Sequence, residues 1–402
     1  MGETLVKRAY KYRFYPTEQQ ERELVRTFGC VRFVYNKALE ARTTAWYTEQ
    51  RRINYNETSA MLTGWKKTDD LKFLGEVSSV PLQQTLRHLQ GAFASFFDKR
   101  ARYPRFKSRK KSRSSAEYTR SAFTFRDGQL TLAKMADPLN IVWSRPLPEG
   151  AQPSTVTVSC DSAGRWFVSL LTETVVAHHP PTESVVGVDA GITSLLALST
   201  GEKITNPGHQ RRVQARLVKA QRALARKTKG SVNREKARRK VARIHARITD
   251  RRRDHLHKLS TRLVRENQTI VIEDLHVAGM LGNRSLARAI SDASWSQLRS
   301  MLEYKAAWYG REVIAVDRWF PSSKICSACG SVNDTMPLHV REWVCRCGVT
   351  HDRDINAARN ILAAGLAVSA CGGGVRPTRQ SSARRSPMKQ ETRPVKVGIP
   401  HL

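Results

Sequence analysis

Apolar positions recur along this chain with two periods, and the changes of period mark its segments. Residues 5–15 alternate basic and aromatic side chains, with Lys7, Tyr10, Tyr12 and Phe14 among them, and predict a strand that Pro16 ends. Thr17 followed by Gln20 is a capping-box pair, so a long helix should start there, carrying Leu24, Phe28, Val31, Val34, Tyr35 and Leu39 on one face. Further helical patterns cover residues 55–68 and 80–99. The period then shortens. Strands are predicted at 122–125, 129–132, 139–143, 155–160 and 166–172, a small β domain that the N-terminal strand could complete.

A Pro- and His-rich stretch, 178–183, reads as a boundary. Beyond it come buried strands at 184–189 and 269–273, another at 195–199, a helix at 295–309, a strand at 312–316 and a last helix at 354–368. Between the strands, residues 211–265 form a helical region with 21 Lys or Arg against only Glu235, Asp250 and Asp254. Gly230 should divide it, and Val241, Ile244, Ile248, Leu256 and Leu259 give it one apolar stripe. The tail, 372–402, is rich in Gly, Ser, Arg and Pro and reads as disordered.

Charge changes the picture. The 402 residues carry 69 Lys plus Arg against 35 Asp plus Glu, a formal net charge of +34. A compact chain with that excess repels itself unless an anion neutralises it, and a nucleic-acid backbone is the obvious one. Six of the nine residues 105–113 are basic. Candidate phosphate contacts are Arg105, Lys107, Arg109, Lys110 and Lys111, and on the basic helices Arg212, Arg216, Lys219, Arg239, Arg243 and Arg247. Each alone could be a solvated surface charge. Tyr12, Phe14, Tyr47 and Tyr55 could stack on bases, with core packing the better reading for most. No run of 18 apolar residues is present and the first ten residues lack an apolar signal region, so no membrane partner is expected and the chain is expected in the cytoplasm, on the nucleoid when bound to DNA.

Four of the seven cysteines crowd together as Cys326-x-x-Cys329 and Cys345-x-Cys347, each pair at an expected tight turn. Two pairs of thiols in polar surroundings signal a structural zinc ribbon at about 321–350. The second pair has one intervening residue where two are usual, which leaves open whether His339 or His351 substitutes or the affinity drops. Cys30 and Cys160 read as core.

Three acids stand out. Asp189 ends the apolar run Ser-Val-Val-Gly-Val-Asp, between Gly187 and Gly191, which could admit a backbone or a phosphate. Glu273 closes Thr-Ile-Val-Ile-Glu, and Asp354 opens the last helix. Carboxylates at the ends of two neighbouring strands and on a helix across the sheet would converge as two Mg²⁺ ions require in phosphodiester hydrolysis. Read singly, the three could instead be a turn residue, an Arg partner and a helix cap. Asp274 should point to the other face of its strand, and Asp352 could lie just outside the helix.

Together these residues carry a family likeness. Gly-Val-Asp-x-Gly (187–191), Ile-Glu-Asp-Leu (272–275), Ser-Ser-x-x-Cys-x-x-Cys-Gly (322–330) and Thr-His-Asp-Arg-Asp-x-Asn-Ala-Ala-x-Asn (350–360), after the opening Tyr12-Arg13-Phe14-Tyr15-Pro16-Thr17, resemble the TnpB (OrfB) proteins of bacterial insertion sequences over roughly residues 5–375. The resemblance implies an RNA-guided DNA endonuclease related to the type V CRISPR effectors. It would bind a guide RNA from the transposon end and cut target double-stranded DNA beside a short motif. It further implies a multidomain α/β fold. A wedge-like β-barrel domain would take residues 1–15 and 104–183, and a helical recognition domain 16–103. An RNase H-like (RuvC-type) domain would take 184–371, with the 211–265 insertion and the ribbon. Asp189, Glu273 and Asp354 would take the catalytic, Mg²⁺-binding positions and the four cysteines the zinc. A monomer or weak dimer is expected. The competing functions are a guided binder that cuts poorly because the irregular cysteine pair misplaces Asp354, an accessory DNA-binding protein of transposition, and a structural RNA-binding protein.

Overall fold

The computed structural model describes residues 2–370 apart from 111 and 338. Lys111, Cys371 and the tail 372–402 lie outside the described residues.

The chain opens with β1 (Glu3–Phe14), then α1 (Glu18–Glu49), α2 (Tyr55–Trp65) and α3 (Ser79–Phe97). The capping box is formed: Gln20 N–H donates to Thr17 Oγ1 (3.2 Å) and Thr17 N–H to Gln20 Oε1 (3.1 Å). Residues 105–113 carry no helix or strand among those described. Next come β2 (Ser114–Thr119), β3 (Phe123–Arg126), β4 (Gln129–Leu132), β5 (Ile141–Val142), β6 (Thr155–Cys160) and β7 (Trp166–Ala177). The N-terminal strand does complete the sheet, pairing antiparallel with β7 along its whole length. The order is β2-β6-β7-β1-β5, and β3–β4 form a separate hairpin. In hydrogen-bond pairing this sheet is open, with β2 and β5 at its edges. One hydrophobic core runs from α1 (Leu24, Val34, Leu39) and α3 (Leu82, Leu86) to the inward side chains of the sheet (Tyr12, Phe14, Val158, Leu170). Cys30 belongs to it, and Cys160 packs against it.

Further along lie β8 (Val185–Ala190), β9 (Ser194–Leu198), β10 (Lys203–Thr205), α4 (His209–Ala225), α5 (Val232–Glu266), β11 (Thr269–Glu273), α6 (Val277–Met280), α7 (Ala287–Ala293), α8 (Trp295–Tyr309) and β12 (Glu312–Val316). The chain ends, as described, with β13 (Glu342–Val344), β14 (Thr350–Asp352) and α9 (Arg353–Ala370). Two compact units result. Among the described residues, one holds 2–182, 207–266 and 283–311; the other holds 183–206, 267–282 and 312–370. The basic helices α4 and α5 therefore group with the N-terminal unit, although their sequence lies between strands of the second sheet. They form a helical hairpin, with a left-handed Gly230 in the connection and Leu217, Ala220, Ile244 and Ile248 buried between them. Among the described residues no helix is long and apolar enough to cross a membrane.

The second unit is built on a five-stranded sheet of order β10-β9-β8-β11-β12. β10 pairs antiparallel with β9 and β9 with β8, while β8, β11 and β12 are parallel. Helix α9 lies across it. Two glycines make that approach possible: a Cβ on Gly187 of β8 would run into the carbonyl oxygen of Ala358, and one on Gly365 of α9 into the side chain of Val271. Gly187 thus admits a backbone, that of the helix. Gly191 serves the turn into β9, where a Cβ would lie 2.7 Å from the Ser194 carbonyl oxygen.

Candidate active site and metal centre

Side chains alternate along a strand, so residues 187 and 189 share a face, as do 271 and 273. Helix α9 covers the face that bears Gly187 and Val271, and its first turn therefore overlies the strand ends where Asp189 and Glu273 sit. The register sets those two side by side: Val188 pairs with Ile272, and each acid is one residue further on. Asp354 lies in the first turn of α9. Burial pushes the Asp189 carboxyl up to about 8, helped by the negative charges of Glu273 and Asp354. Burial also raises Glu273, against the pull of a hydrogen bond from Ser322 Oγ to its Oε1 (3.0 Å). The three acids are thus one electrostatic cluster.

The neighbouring acids have separate duties. Asp352 Oδ1 accepts the N–H groups of Asp354 (3.1 Å) and Ile355 (3.0 Å), so it caps α9. Burial opposes its ionisation, but Lys203 and these N–H groups hold its carboxyl below the usual range. Asp274 faces away and meets Arg318 (2.7 Å). Lys203 lies 2.5 Å from Asp352 and 3.8 Å from Asp354, and Arg341 lies 3.7 Å from Asp354. The sequence pattern had drawn attention to none of Lys203, Ser322 or Arg341 as site residues. Ser322 stands in the Ser-Ser pair ahead of the first cysteines and could have been found there.

The sulfur atoms of Cys326, Cys329, Cys345 and Cys347 all lie within 4.8 Å of one another. Cys326 and Cys347 are 3.8 Å apart and Cys329 and Cys345 3.7 Å. A tetrahedral zinc with bonds of about 2.3 Å has sulfur–sulfur edges of ~3.8 Å. The cluster therefore fits zinc, and the shorter spacing is no obstacle. In the first turn Gly330 N–H reaches the carbonyl of Cys326; in the second, Gly348 N–H reaches that of Cys345, one residue nearer. Both glycines keep a left-handed backbone, φ 75° and 85°. The missing residue is absorbed by a tighter turn. Four thiols leave no vacancy for a histidine: His339 is exposed, and His351 is buried with its Nε2 3.0 Å from Cys326 Sγ, placed to hydrogen-bond the sulfur.

The cysteine loop and the acids are mechanically joined. Asn356 Nδ2 donates to the Ile325 carbonyl (2.7 Å), and its Oδ1 accepts from Ser327 N–H (2.9 Å). Asn360 Nδ2 donates to the carbonyls of Ser322 (2.8 Å) and Ile325 (2.6 Å). Both asparagines are buried on α9, the helix that carries Asp354, so the loop that presents Cys326 and Ser322 is pinned to it.

The candidate phosphate contacts divide. Arg105, Arg109 and Lys110 are exposed, but Lys107 is partly buried, its ammonium over the Tyr35 ring (3.9 Å) and its backbone held by Asn36. Arg212, Arg216 and Lys219 are exposed on α4, and Arg239, Arg243 and Arg247 on α5, with Arg239 near Glu235 (3.5 Å). Tyr12 and Phe14 are core, whereas Tyr47 is 76% exposed.

Three family models match the chain: one described as "Probable transposase" over residues 167–284, a "Cas12f1-like, TNB domain" over 295–361 and a "Helix-turn-helix domain" over 1–51. In this chain the last stretch is a strand and one uninterrupted helix. A Streptomyces pristinaespiralis protein named "Putative RNA-guided DNA endonuclease" is 71% identical over 398 residues, 99% of each chain. InsQ of Escherichia coli (strain K12), which bears the same designation, is 34% identical over 95% of this chain and 96% of its own. Among solved structures, that of a Cas12f1–sgRNA–target DNA complex superposes with a TM-score of 0.57 at 13% identity, covering 89% of this chain and 98% of that one, a likeness of fold. Matched nearly end to end by such relatives, the chain belongs to the TnpB (OrfB) family of insertion-sequence proteins.

Proposed function

We propose that this protein is an RNA-guided, divalent-cation-dependent DNA endonuclease of a transposable element. The observation that carries the reading is the convergence of Asp189, Glu273 and Asp354 beneath the start of α9, with the Asp189 carboxyl driven up to about 8 by burial and by its two neighbours. Such crowding disfavours the ionised state unless cations share it. The strand order supports an RNase H-like (RuvC-type) sheet, and the names of the two long relatives support a guide RNA and a DNA target.

In this reading Asp189, Glu273 and Asp354 would hold two Mg²⁺, which would supply Lewis-acid activation and charge neutralisation for phosphodiester hydrolysis. The chain's own groups prepare that arrangement. Asp189 would serve as a ligand in its deprotonated form. Ser322 fixes one oxygen of Glu273 and leaves the other to the site. Asp352 caps α9 and so sets the position of Asp354. The four cysteines would take zinc and hold the 322–327 loop, which Asn356 and Asn360 fasten to α9. Exposed cations on α4, α5 and residues 105–110 would neutralise guide and target phosphates, while base pairing reads the sequence. The tetrahedral thiol spacing supports a cutting enzyme over a binder disabled by its irregular cysteine pair.

The test is cleavage of a guide-matched plasmid library by protein co-expressed with its flanking transposon-end RNA, in Mg²⁺, beside Asp189→Ala. Cutting that needs both the matched guide and Asp189 is expected. RNA-dependent binding by the wild-type protein with no cutting overturns the reading in favour of a guided binder.

A further inference from the structure

A row of directly opposed residues crosses the second sheet. On β10 Lys203 faces Ala197 of β9, and Ala197 faces Asp189 of β8. Glu273 stands next to Asp189 on β11, opposite Val316 of β12. Opposed residues of neighbouring strands project to the same face, with strands about 4.8 Å apart. The row therefore reads cation, small residue, acid, acid. Ala197 ends at Cβ, so the residue between Lys203 and Asp189 in the row has no long side chain of its own. The ammonium of Lys203 reaches the start of α9, 2.5 Å from Asp352 and 3.8 Å from Asp354. Its side chain is 35% exposed, so it sits at the mouth of the acidic cluster.

We propose that Lys203 is a positioning residue that acts as a resident counter-charge for the acidic cluster. It holds Asp354 through a direct ion pair and through the capping acid Asp352, and it occupies part of the positive charge that divalent cations would otherwise supply. The inference rests on the reading of the three acids as a cation site. Lys203 sets how much divalent cation the site needs: it keeps the carboxylates together before a cation arrives and opposes the cation electrostatically as it enters.

The test is thermal stabilisation of the full-length protein by Mn²⁺, titrated without a DNA target, for wild type, Lys203→Met and Lys203→Arg. Methionine keeps the unbranched stem and removes the charge on an edge strand. Lys203→Met should reach half-maximal stabilisation at a Mn²⁺ concentration on the order of fivefold lower than wild type. It should also melt at a lower temperature when cation-free. Lys203→Arg should match wild type in both. A half-maximal concentration in Lys203→Met that is unchanged or raised overturns the role of Lys203, because a side chain that only braces the α9 cap would loosen the site when removed. If wild type itself shows no Mn²⁺ stabilisation, the reading of the acids as a cation site has failed, which separates the two outcomes.

Discussion

Two clusters of side chains that we read as metal ligands lie in the second unit, and they are built on opposite principles. The four thiols sit at tetrahedral spacing, each pair on its own glycine-ended turn, with no position left over. The three carboxylates crowd one another at the start of α9, and Asp189 is raised to about 8 by burial and by the charges of Glu273 and Asp354, which Arg353 and Lys203 only partly offset. A closed set of soft ligands satisfies its ion and finishes the fold. An open set of hard ligands stays electrostatically incomplete until cations and substrate arrive. The buried Asn356 and Asn360 connect the two, so that the finished cluster braces the unfinished one.

The sharpest way to break this contrast is to remove one member from each cluster. Glu273→Gln, a near-isosteric change on the sheet, should lower cleavage by at least about 10³-fold while the melting temperature holds or rises. Cys326→Ser should do the reverse first, exposing residues 321–350 to protease and lowering stability by several kcal/mol, with activity lost as a consequence. Limited proteolysis beside a cleavage assay tells the two patterns apart; a protease-resistant Cys326→Ser variant would deny the ribbon its bracing role.

A pH series sharpens the electrostatic side. An unfolded aspartate titrates near 3.9, and folded Asp189 near 8, so the folded state holds the proton more tightly. Its contribution to stability is therefore lost as pH rises from about 4 to about 8. Asp189→Asn should stabilise the cation-free protein at about pH 8 by on the order of 2 kcal/mol and have little effect near pH 4. Thermal melts at the two pH values in a chelator check this, and equal effects at both would contradict it. The smallest expected change is Asn360→Ala, which takes the side-chain donor from the Ser322 carbonyl while Asn356 still serves that of Ile325, and should cost ~1 kcal/mol in denaturant unfolding. With the fold intact, it should also reduce cleavage, since Asp354 rides on the same helix.

Much of this was legible in the sequence where one local rule decided the outcome. The 129–132, 155–160, 269–273 and 312–316 strands and the 295–309 helix have the expected boundaries, because turn residues and caps bracket strong apolar patterns. Asp189 and Glu273 stood out because a carboxylate that ends an apolar run is costly without a partner, and Asp354 by its place at the start of the last helix. Lys203 was not, since a three-residue edge strand leaves no periodic trace and its neighbours in the row come from register. The grouping of α4 and α5 with the N-terminal unit was also hidden: an apolar stripe says that a helix packs, but not on what. The cysteine spacing misled because it counts residues, whereas the turn that closes it is set by which carbonyl the glycine N–H reaches.

The most direct test of the central claim is the cleavage rate of one guide-matched DNA duplex as Mg²⁺ is titrated, for wild type and for Asp354→Asn. The account predicts a rate that rises steeply with Mg²⁺, vanishes in excess chelator and is absent in the variant throughout. Cleavage that persists in chelator, or that Asp354→Asn retains at saturating Mg²⁺, would contradict it.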